Sequence, residues 1–145
     1  MAIAERNAQC TWKGDLAHGK GELNGASGAL AQLPVTWASR TERSAGQTSP
    51  EELIAAAHAS CFSMALAHEL SQQGNAPEQL EVAARVTLDE RDGAPTVTTS
   101  EITVQGRVSG IDQEAFTKAA TNAGKQCPVS RALAAVDISV QATLS

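Results

Sequence analysis

Residues 48–74 read TSPEELIAAAHASCFSMALAHELSQQG, and this stretch decides the fold that we predict for the chain. Thr48 or Ser49 offers a capping hydroxyl, and Pro50 suits the first helical turn, where its missing N–H costs nothing. Apolar residues then recur at three- and four-residue steps until Gly74, a typical helix terminator. The pattern predicts one long helix from Thr48 to Gly74.

The middle of this helix is small or apolar on almost every face. Between residues 55 and 67 the main polar interruptions are His58, Ser60 and Ser63. Such a helix is typically surrounded by other elements, so we expect burial on all sides. Cys61 lies at the centre of the stretch, and a lone cysteine in this setting is most often a core residue. Its thiol therefore either packs in the core or takes part in a reaction.

Length and charge limit the possible functions. A chain of 145 residues fits a single domain, 1–145, which can bury roughly two thirds of its unfolded surface. The net charge of -5 and the scattered basic residues argue against nucleic acid or an anionic membrane as partner. The first twenty residues show no signal-peptide run and the long helix has polar ends, so we expect a cytoplasmic protein without a membrane span.

The segment before the long helix predicts strands. Residues 8–17 alternate loosely, and residues 29–42, ALAQLPVTWASRTE, follow a glycine-rich stretch. We expect two or three antiparallel strands here. Pro34 places one of them at an edge or a strand end, and Arg40 is expected at the end of a strand.

The segment after the long helix predicts a hairpin, two helices and a last strand. Two alternating runs flank an Asp-Gly pair, which is typical of a tight hairpin turn. Asp112 is a suitable cap for the next helix, and Pro128 suits the first turn of a shorter one. The expected elements are strands 80–90 and 96–108, helix 113–125, a helix after Cys127 and strand 137–144. This order indicates an α+β fold rather than repeated βαβ units.

Three cysteines in an expected reducing compartment indicate free thiols rather than a disulfide scaffold. Cys127 lies in QCPVSRAL, residues 126–133, directly before a helix start, where N–H groups and the helix dipole lower the pKa of a thiol. Cys61 and Cys127, in two helical contexts, suggest a dithiol pair that cycles between reduced and oxidised forms. Cys10, in a predicted strand, is taken as structural.

His58 precedes Cys61 by one helical turn and has no single interpretation from the sequence. It is a candidate base or, together with Cys61 and Cys127, a candidate zinc ligand. That set has only three members and lacks the C-x-x-C or H-x-x-H spacing of zinc sites. We therefore predict no metal and no bound cofactor.

Three segments together resemble the OsmC/Ohr family of organic hydroperoxide reductases. They are ASRTE at 38–42, SPEELIAAAHASCFSMAL at 49–66 and QCPVSRAL at 126–133. Their order and spacing match over essentially the whole chain. The histidine at position 58 and the SRTE context are similar to the OsmC branch rather than the Ohr branch. The resemblance implies an OsmC-like α+β fold, with antiparallel sheets around a long central helix in an intertwined homodimer.

The resemblance also implies the roles of four residues. Cys61 would be the thiolate that attacks the peroxide and becomes a sulfenic acid, and Cys127 the thiol that resolves it as an intramolecular disulfide. Arg40 would stabilise the thiolate and polarise the peroxide, and Glu51 would orient Arg40. Reasoning from the residues alone favours Cys127 as the more acidic thiol, so the two lines of argument differ on this point.

The spacing between Glu51 and Cys61 has a physical consequence. Ten residues on a continuous helix correspond to about 15 Å of rise and about 80° of rotation, so the two side chains cannot touch. If both serve one site, either the helix breaks between them or Glu51 comes from a second chain. The apolar faces of the helix favour the second chain.

The predicted function is a thiol-dependent peroxidase for organic hydroperoxides and, less efficiently, hydrogen peroxide. An external dithiol would then reduce the Cys61–Cys127 disulfide. Phe62, Met64 and Leu66 near the thiol are expected to suit an alkyl peroxide. The alternative is a thiol-based redox sensor, or a protein that binds a small molecule or a partner on the same fold.

Overall fold

The computed structural model describes all 145 residues, which form two compact units, Met1–Leu53 and Ile54–Ser145. The boundary falls inside the long helix. Six strands and four helices occur in the chain, and the two units are described in turn. The prediction of one domain over residues 1–145 stays a prediction.

The N-terminal unit contains a three-stranded antiparallel sheet, as predicted. Its strands are β1 (Ala8–Lys13), β2 (Lys20–Gly25) and β3 (Leu33–Val35), in that order. Pro34 lies in β3, which is an edge strand, so its missing N–H interrupts no ladder between two neighbours.

The prediction of a strand that continues to Arg40 is wrong beyond Val35. The chain turns instead into a short helix, α1 (Trp37–Thr41), which carries Arg40. Thr36 and Ser39 form a capping box: the Thr36 hydroxyl accepts from the Ser39 N–H at 3.0 Å, and the Ser39 hydroxyl accepts from the Thr36 N–H at 2.9 Å. This local exchange of hydrogen bonds offsets the unpaired donors of a helix start and outcompetes the extended backbone.

The long helix is confirmed as α2 (Pro50–Gln72). Ser49 is the cap, because its hydroxyl accepts from the Glu52 N–H at 3.1 Å. At the other end Gly74 has a φ of +81°, and the Asn75 N–H donates to the Leu70 carbonyl at 2.9 Å. This i to i−5 bond is the terminator that a glycine in the left-handed region permits.

Only one face of α2 is buried in the chain. The expectation of burial on all sides is therefore wrong for the single chain. Phe62, Leu66 and Leu70 are fully buried, whereas Met64 is 69% exposed. The helix is also long and apolar enough, by composition alone, to suit a membrane span, contrary to our expectation. Core helices have the same composition, and the buried face of α2 belongs to a protein core.

The C-terminal unit contains a three-stranded sheet in the order β4-β5-β6. β4 (Gln79–Arg91) and β5 (Ala94–Arg107) form the predicted hairpin, with Asp92 and Gly93 both at positive φ, as a type I′ turn requires. β6 (Asp137–Leu144) agrees with the predicted strand but pairs with β5 in parallel. The sheet is therefore mixed rather than purely antiparallel.

Two helices form the crossover between β5 and β6. α3 (Gln113–Gln126) is capped by Asp112, whose carboxylate accepts from the Ala115 N–H at 2.8 Å, and α4 spans Pro128–Ala132. The core lies between α2, α3 and one face of the sheet, and it contains the predicted inner face of α3: Phe116, Ala119, Ala120 and Ala123. Gly106 on β5 lets the Phe116 ring approach, because a Cβ at that position would lie 2.3 Å from its Cζ.

Candidate active site

The two predicted redox cysteines lie together in the C-terminal unit. Cys61 is half-buried on α2, and Cys127 is fully buried directly before α4. Both are free thiols, and they lie close enough for each to shift the pKa of the other. Cys10, on β1 of the other unit, is exposed.

Cys127 is held by the junction of two helices. Its N–H donates to the Ala123 carbonyl at 2.9 Å and closes α3, while its carbonyl accepts from the Arg131 N–H at 3.0 Å and opens α4. Pro128 takes the first position of α4. Both backbone ends of Cys127 are therefore fixed, and the residue is the N-cap of α4.

The two thiols differ in acidity, in opposite directions. Burial raises the pKa of the Cys61 thiol, and its hydrogen bond with Cys127 raises it further. Burial also opposes ionisation of Cys127, but the donors of Cys61, Ser130 and Val129 outweigh it and lower the pKa of Cys127. Within one chain these causes raise the pKa of Cys61 and lower that of Cys127, the same order of acidity that reasoning from the residues favours.

His58 is fully buried next to this pair, and two serine hydroxyls hold its ring. Nδ1 lies 2.6 Å from Ser100 Oγ, and Nε2 lies 2.8 Å from Ser130 Oγ. Burial lowers the pKa of His58, so the neutral ring is favoured. Ser130 also contributes to the lowered pKa of Cys127.

The sequence reasoning did not single out the two serines. The position of Ser130 could have been noticed in the sequence, because it follows Cys127 by three residues in the first turn of a helix. No local pattern pointed to Ser100, since its approach to His58 depends on the packing of β5 against α2.

The zinc interpretation of His58 does not fit this geometry. Both ring nitrogens already face hydroxyl groups, so neither nitrogen is directed at the thiols. No group of three histidine, cysteine, aspartate or glutamate side chains in the chain is arranged to hold a metal ion.

Arg40 and Glu51 form an ion pair within the N-terminal unit. Arg40 Nε lies 2.9 Å from Glu51 Oε1 and 3.2 Å from Oε2, and Nη2 lies 2.8 Å from Oε1. The Glu51 side chain is 10% exposed and that of Arg40 is 31% exposed. The guanidinium also lies over the Trp37 ring, 5.9 Å from its centroid. Its orientation is thereby fixed, while part of its charge still faces outward.

The helix break between Glu51 and Cys61 does not occur. α2 is continuous from Pro50 to Gln72, so the ten-residue spacing keeps its rise of about 15 Å. That Glu51 comes from a second chain stays a prediction.

The model of the family described as OsmC-like protein matches residues 43–141, which include α2, both thiols and Glu51. The chain belongs to the OsmC family. It is 40% identical over 130 residues to the peroxiredoxin OsmC of Escherichia coli, an alignment that covers 90% of each protein. The identity and coverage are the same for the peroxiredoxin OsmC of Shigella flexneri. The predicted family and its OsmC branch are confirmed, and these relatives support the predicted enzyme class, a peroxidase.

Solved structures of the family confirm the predicted fold. The organic hydroperoxide resistance protein OhrB of Bacillus subtilis has a TM-score of 0.76, with 24% identity over 99% of this chain and 100% of that one. An OsmC-like protein of Vibrio cholerae also has a TM-score of 0.76, with 16% identity over 97% and 99% of the two chains. At these identities the likeness concerns the α+β fold alone.

Proposed function

We propose that this protein reduces organic hydroperoxides and, less efficiently, hydrogen peroxide, with Cys61 as the attacking thiolate and Cys127 as the resolving thiol. The observation that supports the proposal is the proximity of these two free thiols, each of which shifts the pKa of the other. Disulfide formation requires two cysteines whose backbones lie close together, so neighbouring thiols favour it over thiols in separate parts of the fold.

In the first step the Cys61 thiolate attacks one peroxide oxygen. An S–O bond forms, the O–O bond breaks, and the alkoxide takes a proton to leave as the alcohol. Cys61 becomes a sulfenic acid. The half-buried position of Cys61 suits this step, because the sulfur is open to a small substrate while bulk water is partly excluded.

In the second step the Cys127 thiolate attacks the sulfur of the sulfenic acid. The S–S bond forms, the S–O bond breaks, and hydroxide leaves and is protonated to water. An external dithiol then reduces the disulfide by thiol–disulfide exchange and is itself oxidised. No bound cofactor enters these steps.

Arg40 and Glu51 would complete the site from a second copy of the chain. In one chain the acidity order favours a protonated Cys61, which is the wrong form for attack. A guanidinium next to Cys61 would lower the pKa of its thiol and stabilise the thiolate. The Glu51 carboxylate holds Arg40 in the fixed orientation that such a role needs.

The surface of α2 supports a homodimer. Met64 is 69% exposed, and within the apolar stretch of the helix only 22% is buried in the chain. An apolar helix with an uncovered face in an acidic chain favours a protein partner, and a second copy would cover it. Phe62 and Leu66, which were expected to suit an alkyl substrate, are instead fully buried in the core. Of the three apolar neighbours of Cys61, Met64 is the one exposed to an alkyl substrate.

Two cysteine variants test the mechanism. Cys61→Ser should abolish hydroperoxide consumption, whereas Cys127→Ser should allow one turnover and leave a sulfenic acid that a 1,3-dione reagent traps on Cys61. Cys10→Ser is the matched control and should keep full activity, because Cys10 is remote in the sequence and exposed on β1. Steady-state turnover by Cys61→Ser would overturn the proposal.

The redox-sensor alternative is separated by rate. A sensor would react with an alkyl hydroperoxide at the rate of an ordinary free thiol, and oxidation would change its binding to a partner. A catalyst must react far faster, and rapid mixing of the reduced protein with cumene hydroperoxide measures the difference.

A further inference from the structure

A buried histidine joins the two helical segments that carry the redox thiols. His58 on α2 is fully buried, and its Nε2 lies 2.8 Å from Ser130 Oγ on α4. The other ring nitrogen, Nδ1, lies 2.6 Å from Ser100 Oγ on β5, the middle strand of the sheet. Both serines are buried as well. The ring is therefore held on both sides and connects α4 to α2 and to the sheet.

The bond between His58 and Ser130 lies one helical turn from a cysteine in each segment. Cys61 follows His58 by three residues on α2, and Ser130 follows Cys127 by three residues in α4. Three residues of helix correspond to about 4.5 Å of rise. The Cys127 carbonyl accepts from the Arg131 N–H at 3.0 Å, so Cys127 and Ser130 belong to the same turn. Any shift of α4 against α2 at this bond therefore moves Cys127 relative to Cys61.

α4 is a short helix that depends on contacts of this kind. It has five residues, and no side chain caps its start. Helices of this length are not stable by themselves, so tertiary contacts must hold them. Val129 packs against the core, but apolar contact has no preferred direction. The bond to His58 is the one side-chain hydrogen bond that α4 makes, and its required distance and angle can fix the position of the helix.

We propose that His58 is a positioning residue for the disulfide step: its hydrogen bond to Ser130 holds α4 against α2 at the spacing that lets Cys127 reach Cys61. The inference rests on the proposed function, because the Cys61–Cys127 disulfide is the product of its second step. A disulfide is strained when its two backbones lie at the wrong spacing. The bond from Ser100 fixes the ring itself, so the fold supplies this spacing before any oxidation occurs.

The stability of the disulfide tests the inference without peroxide. In a Cys10→Ser protein the Cys61–Cys127 disulfide is equilibrated with reduced and oxidised dithiothreitol, and alkylation with mass spectrometry counts the two forms. We expect Ser130→Ala to shift the equilibrium toward the dithiol by roughly three- to tenfold, the effect of one hydrogen bond, or about 15–30 mV. His58→Leu should shift it in the same direction. His58→Gln keeps a hydrogen-bonding group for Ser130 and should restore it.

Ser63→Ala is the matched control, because the Ser63 hydroxyl lies on the same helix and donates to the Ala59 carbonyl of that helix at 2.7 Å. It should leave the equilibrium unchanged. The double variant Ser130→Ala/His58→Leu should match the larger of the two single shifts, since both changes remove the same bond. If His58→Leu does not fold, Ser130→Ala against Ser63→Ala decides the outcome.

A merely structural bond would give a different result. It would stabilise the dithiol and disulfide forms equally, so Ser130→Ala would lower the free energy of unfolding in urea and leave the equilibrium with dithiothreitol unchanged. An unchanged equilibrium in Ser130→Ala, or strictly additive shifts in the double variant, would overturn the inference.

Rapid mixing with cumene hydroperoxide separates this inference from the proposed function. Ser130→Ala should slow disulfide formation more than it slows sulfenic acid formation on Cys61. Slow peroxide consumption by the unmodified protein would contradict the proposed function, whereas the equilibrium with dithiothreitol would still report on the spacing of the two cysteines. An unmodified protein that forms no Cys61–Cys127 disulfide at any ratio of oxidised to reduced dithiothreitol would overturn both.

Discussion

Arg40 places two nitrogens on the Glu51 carboxylate, Nε at 2.9 Å and Nη2 at 2.8 Å from the same oxygen. The carboxylate is largely buried, so its charge depends on this partner. The pair joins the last turn of α1 to the first turn of α2. It therefore has a structural effect that can be measured separately from any role in catalysis.

Arg40→Met should lower the free energy of unfolding by about 1–3 kcal/mol, because it leaves the buried Glu51 carboxylate without a partner. In a double-mutant cycle with Glu51→Gln, urea denaturation should give a coupling of about 1 kcal/mol. The exposed pair Arg85 and Glu101, at 2.7 Å, is the matched control and should show a smaller coupling. Equal coupling energies for the two pairs would contradict the expectation that burial strengthens the Arg40–Glu51 pair.

Mixed dimers test whether Arg40 and Cys61 meet across two chains. Arg40→Ala and Cys61→Ser should each be inactive as homodimers. A mixed dimer should contain one site with both native residues if they come from different chains, and no such site if they come from one chain. We therefore expect mixing under exchange conditions to restore peroxide consumption. Mixed dimers that form, as shown by differently tagged chains, but stay inactive would contradict the shared site.

Gly106→Ala should destabilise the C-terminal unit by about 1–3 kcal/mol, because its Cβ would lie 2.3 Å from Phe116 Cζ. Thermal unfolding measures the loss. Gln105→Ala, at the neighbouring exposed position of β5, is the control and should have little effect. Phe116→Leu should relieve part of the Gly106→Ala penalty, and strictly additive effects of the two changes would argue against the contact.

His58 should make stability depend on pH. Burial holds the pKa of His58 below its usual value of 6.5, so the unfolded chain binds the proton more readily than the folded one. The free energy of unfolding is therefore unaffected by this group above about pH 6.5 and falls as the pH drops from there toward the folded-state pKa. The difference between the native protein and His58→Gln, measured by urea denaturation across this range, should show that slope. A constant difference would contradict the shift.

Local sequence signals account for most of the elements. The Ser49 cap, the positive φ of Gly74 and the Asp92-Gly93 turn depend on neighbours in the sequence, and each was predictable. The segment around Arg40 was predicted as a strand because its apolar residues are too few to show a helical period. The capping box of Thr36 and Ser39 decided for a helix there.

The candidate site was predictable only in part. Cys127 could be recognised as the more acidic thiol, because the start of α4 follows it directly in the sequence. The surroundings of His58 could not be predicted, since its partners Ser100 and Ser130 lie 42 and 72 residues away in the sequence. Nothing in the spacing of these residues indicates that β5 and α4 approach α2 at the same point.

The sequence by itself determined the family and, apart from α1, the order of helices and strands, and it predicted the four candidate residues, because these depend on short motifs and on periodicity. The tertiary structure decided which side chains share a buried environment. It brought Cys61, Cys127 and the His58–Ser130 pair together, where burial and neighbouring donors raise the pKa of Cys61 and lower that of Cys127. The long helix was thus evident from the sequence, whereas the chemistry of its central thiol depends on packing.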